Sequence, residues 1–149
     1  MAVIAQGTEA RPIPGIDLDS SPRVLWFYKV TCPVCQLAAP VAQKLSEAFP
    51  GRVVGVGQDP DDRLRGFAAQ FGTTFDVVSD PAPYTASVDY GLETVPTLVL
   101  VEDGRVADVV ESWDRDGYNR IAARLADLTS APAIAVSDAG DGLPSFRPG

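Results

Sequence analysis

The chain lacks histidine altogether, and among its 149 residues it has only two cysteines and one methionine. The missing histidine removes every Ser–His and Cys–His catalytic arrangement and most catalytic zinc sites. Basic residues are scarce as well: 12 Lys and Arg stand against 20 Asp and Glu, a formal net charge of -8. Such a balance opposes binding to a phosphate backbone, so no nucleic-acid partner is expected. No apolar run approaches the roughly 18 residues of a membrane-spanning helix. The opening stretch MAVIAQGTEARPIPG lacks the basic cluster and apolar core of a secretory signal. These readings give the expectation of a cytoplasmic protein with no membrane partner. A hydrophobic fraction of 46% in a chain of this length fits one globular domain.

Residues 1–21 carry Pro12, Pro14 and Gly15 without periodicity and are expected to form an extended N-terminal arm. Arg23–Tyr28 is a short, nearly continuous apolar run, as in a buried central strand. After Cys32 the apolar residues Val34, Leu37, Ala38, Val41, Ala42 and Leu45 recur at helical intervals. Pro40 falls inside this helix, where it removes a hydrogen bond and bends the axis. A strand over 52–57, a helix from about Asp59 to Phe71 closed by Gly72, a short strand over 75–78 and a short helix over 84–90 come next. Thr97–Val101 and Val106–Glu111, joined through Glu102-Asp103-Gly104, predict a hairpin. A last amphipathic helix runs from about Asp116 to Leu128. Residues 129–149, rich in Ala, Pro, Gly, Ser and Asp, are expected to be a flexible tail. About twenty such residues span roughly 25 Å on average, enough to approach a site elsewhere on the domain. The order describes an α/β domain over 22–128, beginning with a βαβ unit and ending with antiparallel strands.

Both cysteines lie in Lys29-Val-Thr-Cys32-Pro-Val-Cys35-Gln, where a strand ends and a helix begins. Pro33 suits the first helical position, which places Cys32 at the N-cap and Cys35 three residues on. The Cys32 sulfur then faces free backbone N–H groups and the positive helix end, which favour thiolate. Cys32 is thus the expected nucleophile, and Cys35 the thiol that resolves a mixed disulfide on it. Other readings of the pair are half a zinc ribbon, a static disulfide, or two buried thiols. The first lacks a second Cys pair or a histidine; the second closes too short a loop to remove much chain entropy. Lys29 is a candidate for stabilising the thiolate, set against an ordinary solvent-facing lysine at a strand end. Gly55-Val-Gly57 lacks the third glycine and the helix context of a dinucleotide loop, and no cofactor or metal is expected.

On these residues the chain resembles the thioredoxin superfamily, and within it the TlpA-like thiol–disulfide oxidoreductases. The resemblance covers about residues 22–128. It is carried by Cys32-x-x-Cys35 with Pro40 five residues beyond, by Thr94-Val95-Pro96-Thr97, by Asp103-Gly104-Arg105-Val106, and by the segment from Val53 through Gly72. It implies a thioredoxin-like α/β fold: a central mixed β-sheet flanked by helices, with a strand–helix segment inserted between the CxxC helix and the cis-Pro strand. It also implies that Val95–Pro96 is cis, opposite the cysteines, and that the Val95 backbone receives an extended substrate, with Thr31 and Pro33 beside it. Pro96 is otherwise readable as an ordinary strand-opening proline.

Two departures stand out. Thr31 occupies the place of the Trp that precedes the first Cys in thioredoxins, and Trp26 that of their buried acid. Asp59 or Glu93, or solvent, then takes the Cys35 proton. Pro33 is shared with glutaredoxins and strongly oxidising members. The expected function is disulfide exchange with protein or low-molecular-weight thiols by a monomer served by an upstream reductase or oxidase, a role in cell redox homeostasis. A peroxiredoxin-like peroxidase is the alternative enzyme, although Lys29 stands where that group's PxxxTxxC pattern has threonine. A dithiol metal-binding module is the non-catalytic alternative.

Overall fold

Residue alternation along the central strand divides the molecule into two apolar layers. In β1 (Arg23–Tyr28), Val24, Trp26 and Tyr28 face one side and Leu25 and Phe27 the other, and all five are buried. The computed structural model describes residues 2–149. Its sheet has the order β3-β2-β1-β4-β5, with β2 at Val53–Gly57, β3 at Asp76–Ser79, β4 at Thr97–Glu102 and β5 at Arg105–Glu111. Strand β1 pairs in parallel with β2 and antiparallel with β4, so the mixed sheet has its change of direction at the strand that leads to the cysteines. The β4–β5 hairpin closes on Asp103 and Gly104, both at positive φ, as a tight two-residue turn requires.

Helix α1 (Pro33–Ala48) presents Cys35, Ala38, Ala39, Val41, Ala42 and Leu45 to the layer that holds Trp26. It runs through Pro40, which lacks the N–H that would have bonded the Gln36 carbonyl. Helix α2 (Asp61–Phe71) begins two residues later than the sequence suggests, after Pro60, and ends on Gly72 at φ 72°. Helix α4 (Arg115–Thr129) buries Tyr118, Ile121, Ala122 and Leu125 in the same layer. Trp26 stacks on Tyr28 with ring centroids 4.5 Å apart, and its Nε1 donates to the Tyr118 hydroxyl at 3.0 Å. The position expected for a buried acid therefore holds a satisfied aromatic pair. Trp26, Phe27 and Tyr28 are core residues.

On the opposite face the N-terminal arm and α3 (Thr85–Asp89) cover Leu25 and Phe27. Tyr90 packs on Phe27, and the arm buries Ile13 in this layer. The arm also adds backbone bonds at the β5 edge: Gly7 N to the Val106 carbonyl, Val106 N to that of Thr8, and Ala10 N to that of Gly104. An extended arm of this kind also covers an edge strand.

Residues 129–149 depart from the flexible tail expected of them. They fold back across α4. Val136 and Ser137 are buried, Ala139–Asp141 make a turn of 3₁₀ helix, and β7 (Phe146–Arg147) pairs antiparallel with β6 (Trp113–Asp114). The side chains of Arg115 and Asn119 hold this stretch. Arg115 donates to Ser137 Oγ, Asp141 Oδ1 and the Leu143 carbonyl, while Asn119 bonds the backbone of Val136 and Ser137. Its composition carries no periodicity because polar bonds to distant residues, rather than an apolar face, fasten it.

Candidate active site

A strand end, a helix start and a loop from across the sheet converge on Cys32. The chain leaves β1 at Tyr28, and the residues before the cysteines are fastened from two sides. Val30 N donates to Asp59 Oδ2 at 2.9 Å, and Gln36 Nε2 donates to the Val30 carbonyl at 2.9 Å. Cys32 then caps α1: its Sγ accepts from Cys35 N at 3.1 Å. A sulfur replaces the oxygen that usually occupies an N-cap. On its other side Cys32 Sγ lies 3.6 Å from the Val95 carbonyl oxygen, and the Val95–Pro96 bond is cis.

The two thiols differ sharply. Cys32 is half-buried and Cys35 fully buried, and both are free thiols. The neighbouring Cys35 side chain, helped by the N–H groups of Cys35 and Val34, pulls the Cys32 thiol down to about 6 against partial burial. The charge of Lys29, an exposed residue, contributes the least of these. Burial pushes the Cys35 thiol far up, and sharing its proton with Cys32 adds to the effect. Helix-end N–H groups thus act as the sequence suggests, but the neighbouring thiol is the larger influence. The spacing of three residues carries that information, since N-cap and N3 groups meet at a helix start.

Thr31 and Pro33 flank Cys32 on the surface, and Val95 is half-buried against it, so these positions share one site. Asp59 and Cys35 both act on Tyr28, whose phenol is held protonated by burial first and then by those two neighbours. Asp59 bonds Val30 N, two residues before Cys32. Glu93 lies exposed in the loop before Thr94, with no bond to either cysteine. Tyr118 borders Cys35 from α4 and is likewise held protonated, chiefly by burial. Tyr118, Ser112 and Gly149 gather near the site without a sequence signal, because each reaches it through a contact across the fold.

This sheet order, with a thiolate-forming cysteine capping a helix and a resolving thiol buried beneath it, defines a thiol–disulfide oxidoreductase of thioredoxin-like fold. The AhpC/TSA family matches residues 4–109, and the chain belongs to that family. Over 122 residues it is 27% identical to the soluble secreted antigen MPT53 of Mycobacterium tuberculosis, covering 80% of this chain and 70% of that protein. It is 29% identical over 94 residues to a thioredoxin from Synechocystis, covering 62% and 69%. Among solved structures, dsbF of MTB, in its mixed oxidized and reduced forms, superposes with a TM-score of 0.62 at 28% identity, covering 74% and 83%.

Proposed function

We propose that Cys32 exchanges disulfides with protein or low-molecular-weight thiols while an extended substrate lies along the Val95 backbone. The observation that supports this is a single sulfur that meets the Cys35 N–H on one side and the Val95 carbonyl on the other. In the reducing direction the Cys32 thiolate attacks a substrate disulfide and expels one substrate sulfur as thiolate. Cys35 then gives up its proton and attacks Cys32 Sγ, releasing the second substrate thiolate and leaving the Cys32–Cys35 disulfide. An upstream reductase returns the pair to dithiol; run backwards with an upstream oxidase, the same steps oxidise substrates. The chain acts as a monomer in this reading, in the cytoplasm, where the pair cycles.

The trapping experiment is direct. Cys35→Ser retains the nucleophile and removes the resolving thiol, so mixed disulfides should accumulate on Cys32 and be visible on non-reducing gels. No adducts on that variant would overturn the reading. The family's name leaves a thiol peroxidase as the second reading, and peroxide consumption by the reduced wild type, at rates above those of free thiol, would favour it.

Asp59 is the proposed acceptor of the Cys35 proton. Asp59→Asn keeps an oxygen for the Val30 N–H and removes only the charge. Resolution of a preformed mixed disulfide should slow by about 100-fold if the carboxylate acts as general base. Unchanged resolution would assign the proton to solvent.

A further inference from the structure

The segment that folds back over α4 brings Gly149 to the loop beside the nucleophile. Gly149 N donates to Ser112 Oγ at 3.0 Å, and Ser112 N in turn donates to the Pro96 carbonyl at 2.8 Å. A Cβ at Gly149 would overlap the Val95 carbonyl oxygen and Thr94 Oγ1, so the residue lies directly on the loop that carries the cis bond. That same Val95 oxygen faces Cys32 Sγ at 3.6 Å. The chain's own backbone therefore covers the strand position that the proposed function gives to an extended substrate. Gly149 makes no backbone hydrogen bond to Val95, so it covers the Val95 edge without pairing with it.

The fastening along this stretch is uneven. Upstream, Arg115, Asn119 and the Trp113 Nε1–Pro144 carbonyl bond of 2.7 Å hold residues 136–144. Beyond Pro144 the Arg115 N–Ser145 carbonyl bond, the two-residue β6–β7 pairing and the Ser112 contact remain, and Phe146 through Gly149 are all exposed. Few buried contacts and exposed backbone bonds make such a stretch the first to open. Residues 136–144 are thus held by more bonds than residues 145–149.

We propose that Phe146–Gly149 is a strap that selects substrates for Cys32: docked on Thr94–Val95, it admits low-molecular-weight disulfides and makes an extended polypeptide displace it first. This rests on the exchange reading above. A small disulfide needs only access to Cys32, which is half-buried. A polypeptide that adds along Val95 needs the edge where Gly149 lies. Its apparent association is reduced by the fraction of molecules whose strap is open.

Gly149→Val tests this, since its side chain cannot fit against the Val95 oxygen and must lift the strap. Rate constants for the reduced protein are measured with 5,5′-dithiobis(2-nitrobenzoate) and with insulin. The insulin rate should rise by up to about tenfold, the limit if the strap is open in one molecule in ten, while the small-disulfide rate stays the same. Ser112→Ala removes only the bond to Gly149 N and should move the insulin rate the same way by less. Equal rises with both substrates, an unchanged insulin rate or a fall in it would overturn the strap. Loss of both activities in the wild type would instead remove the exchange reading on which it rests.

Discussion

Cys32→Ser should reduce exchange with insulin or a small aromatic disulfide to the uncatalysed background. The expected loss is at least about 1000-fold, because a serine hydroxyl holds almost no oxyanion at neutral pH. Cys35 cannot take over: it is buried, and its thiol is pushed far above neutrality. Serine is a favourable N-cap, so its oxygen can still receive the Cys35 N–H that Cys32 Sγ accepts at 3.1 Å. The variant should therefore keep its far-UV circular dichroism and its unfolding transition while losing activity. Activity surviving in a folded Cys32→Ser protein would move the nucleophile elsewhere, since the only cysteine left in the chain would be the buried Cys35.

The second large effect is on the potential of the Cys32–Cys35 couple. Reduction of the disulfide takes up two protons while Cys32 is a thiol and one when it is a thiolate. With Cys32 at about 6, the potential should fall by about 59 mV per pH unit below pH 6 and by about 30 mV per pH unit above it. At pH 7 ionisation of Cys32 stabilises the reduced form roughly tenfold relative to an ordinary cysteine, which makes the couple more oxidising by about 30 mV. The folded value lies below the ordinary one of 9.0, so this support for the reduced fold is complete only above 9.0 and is lost as pH falls through 6. The disulfide form has no such support, because it has no thiol to ionise. Potentials measured against glutathione or dithiothreitol buffers from pH 5 to 8 decide the matter. One slope of about 59 mV per unit over that whole range would show that Cys32 has the pKa of an ordinary thiol.

The local features were legible because each depends on residues close in sequence. Pro33 after Cys32 marks a helix start, and the thiolate-forming cap follows from that position alone. Asp103-Gly104 marks its hairpin through the positive φ that both residues adopt. The near-continuous apolar run of β1 marks a strand buried on both faces, as found for Val24 through Tyr28. Even the length of the closing segment was informative, since it allowed a reach to the cysteines. Its composition pointed the wrong way, toward a loose tail.

Residue order by itself determined the chemistry: two cysteines at one helix N-terminus, no histidine, and a sheet whose central strand delivers them. Only the tertiary structure decided what surrounds that chemistry. It set Asp59 on Val30 N, closed Trp26 on Tyr118, and laid Gly149 over Val95. The reason is sequence separation. A helix cap forms between residues three apart, so propensity and spacing announce it. A bond between Trp26 and Tyr118, or a contact between Gly149 and Val95, exists only after the sheet has brought distant segments together, and no periodicity records it.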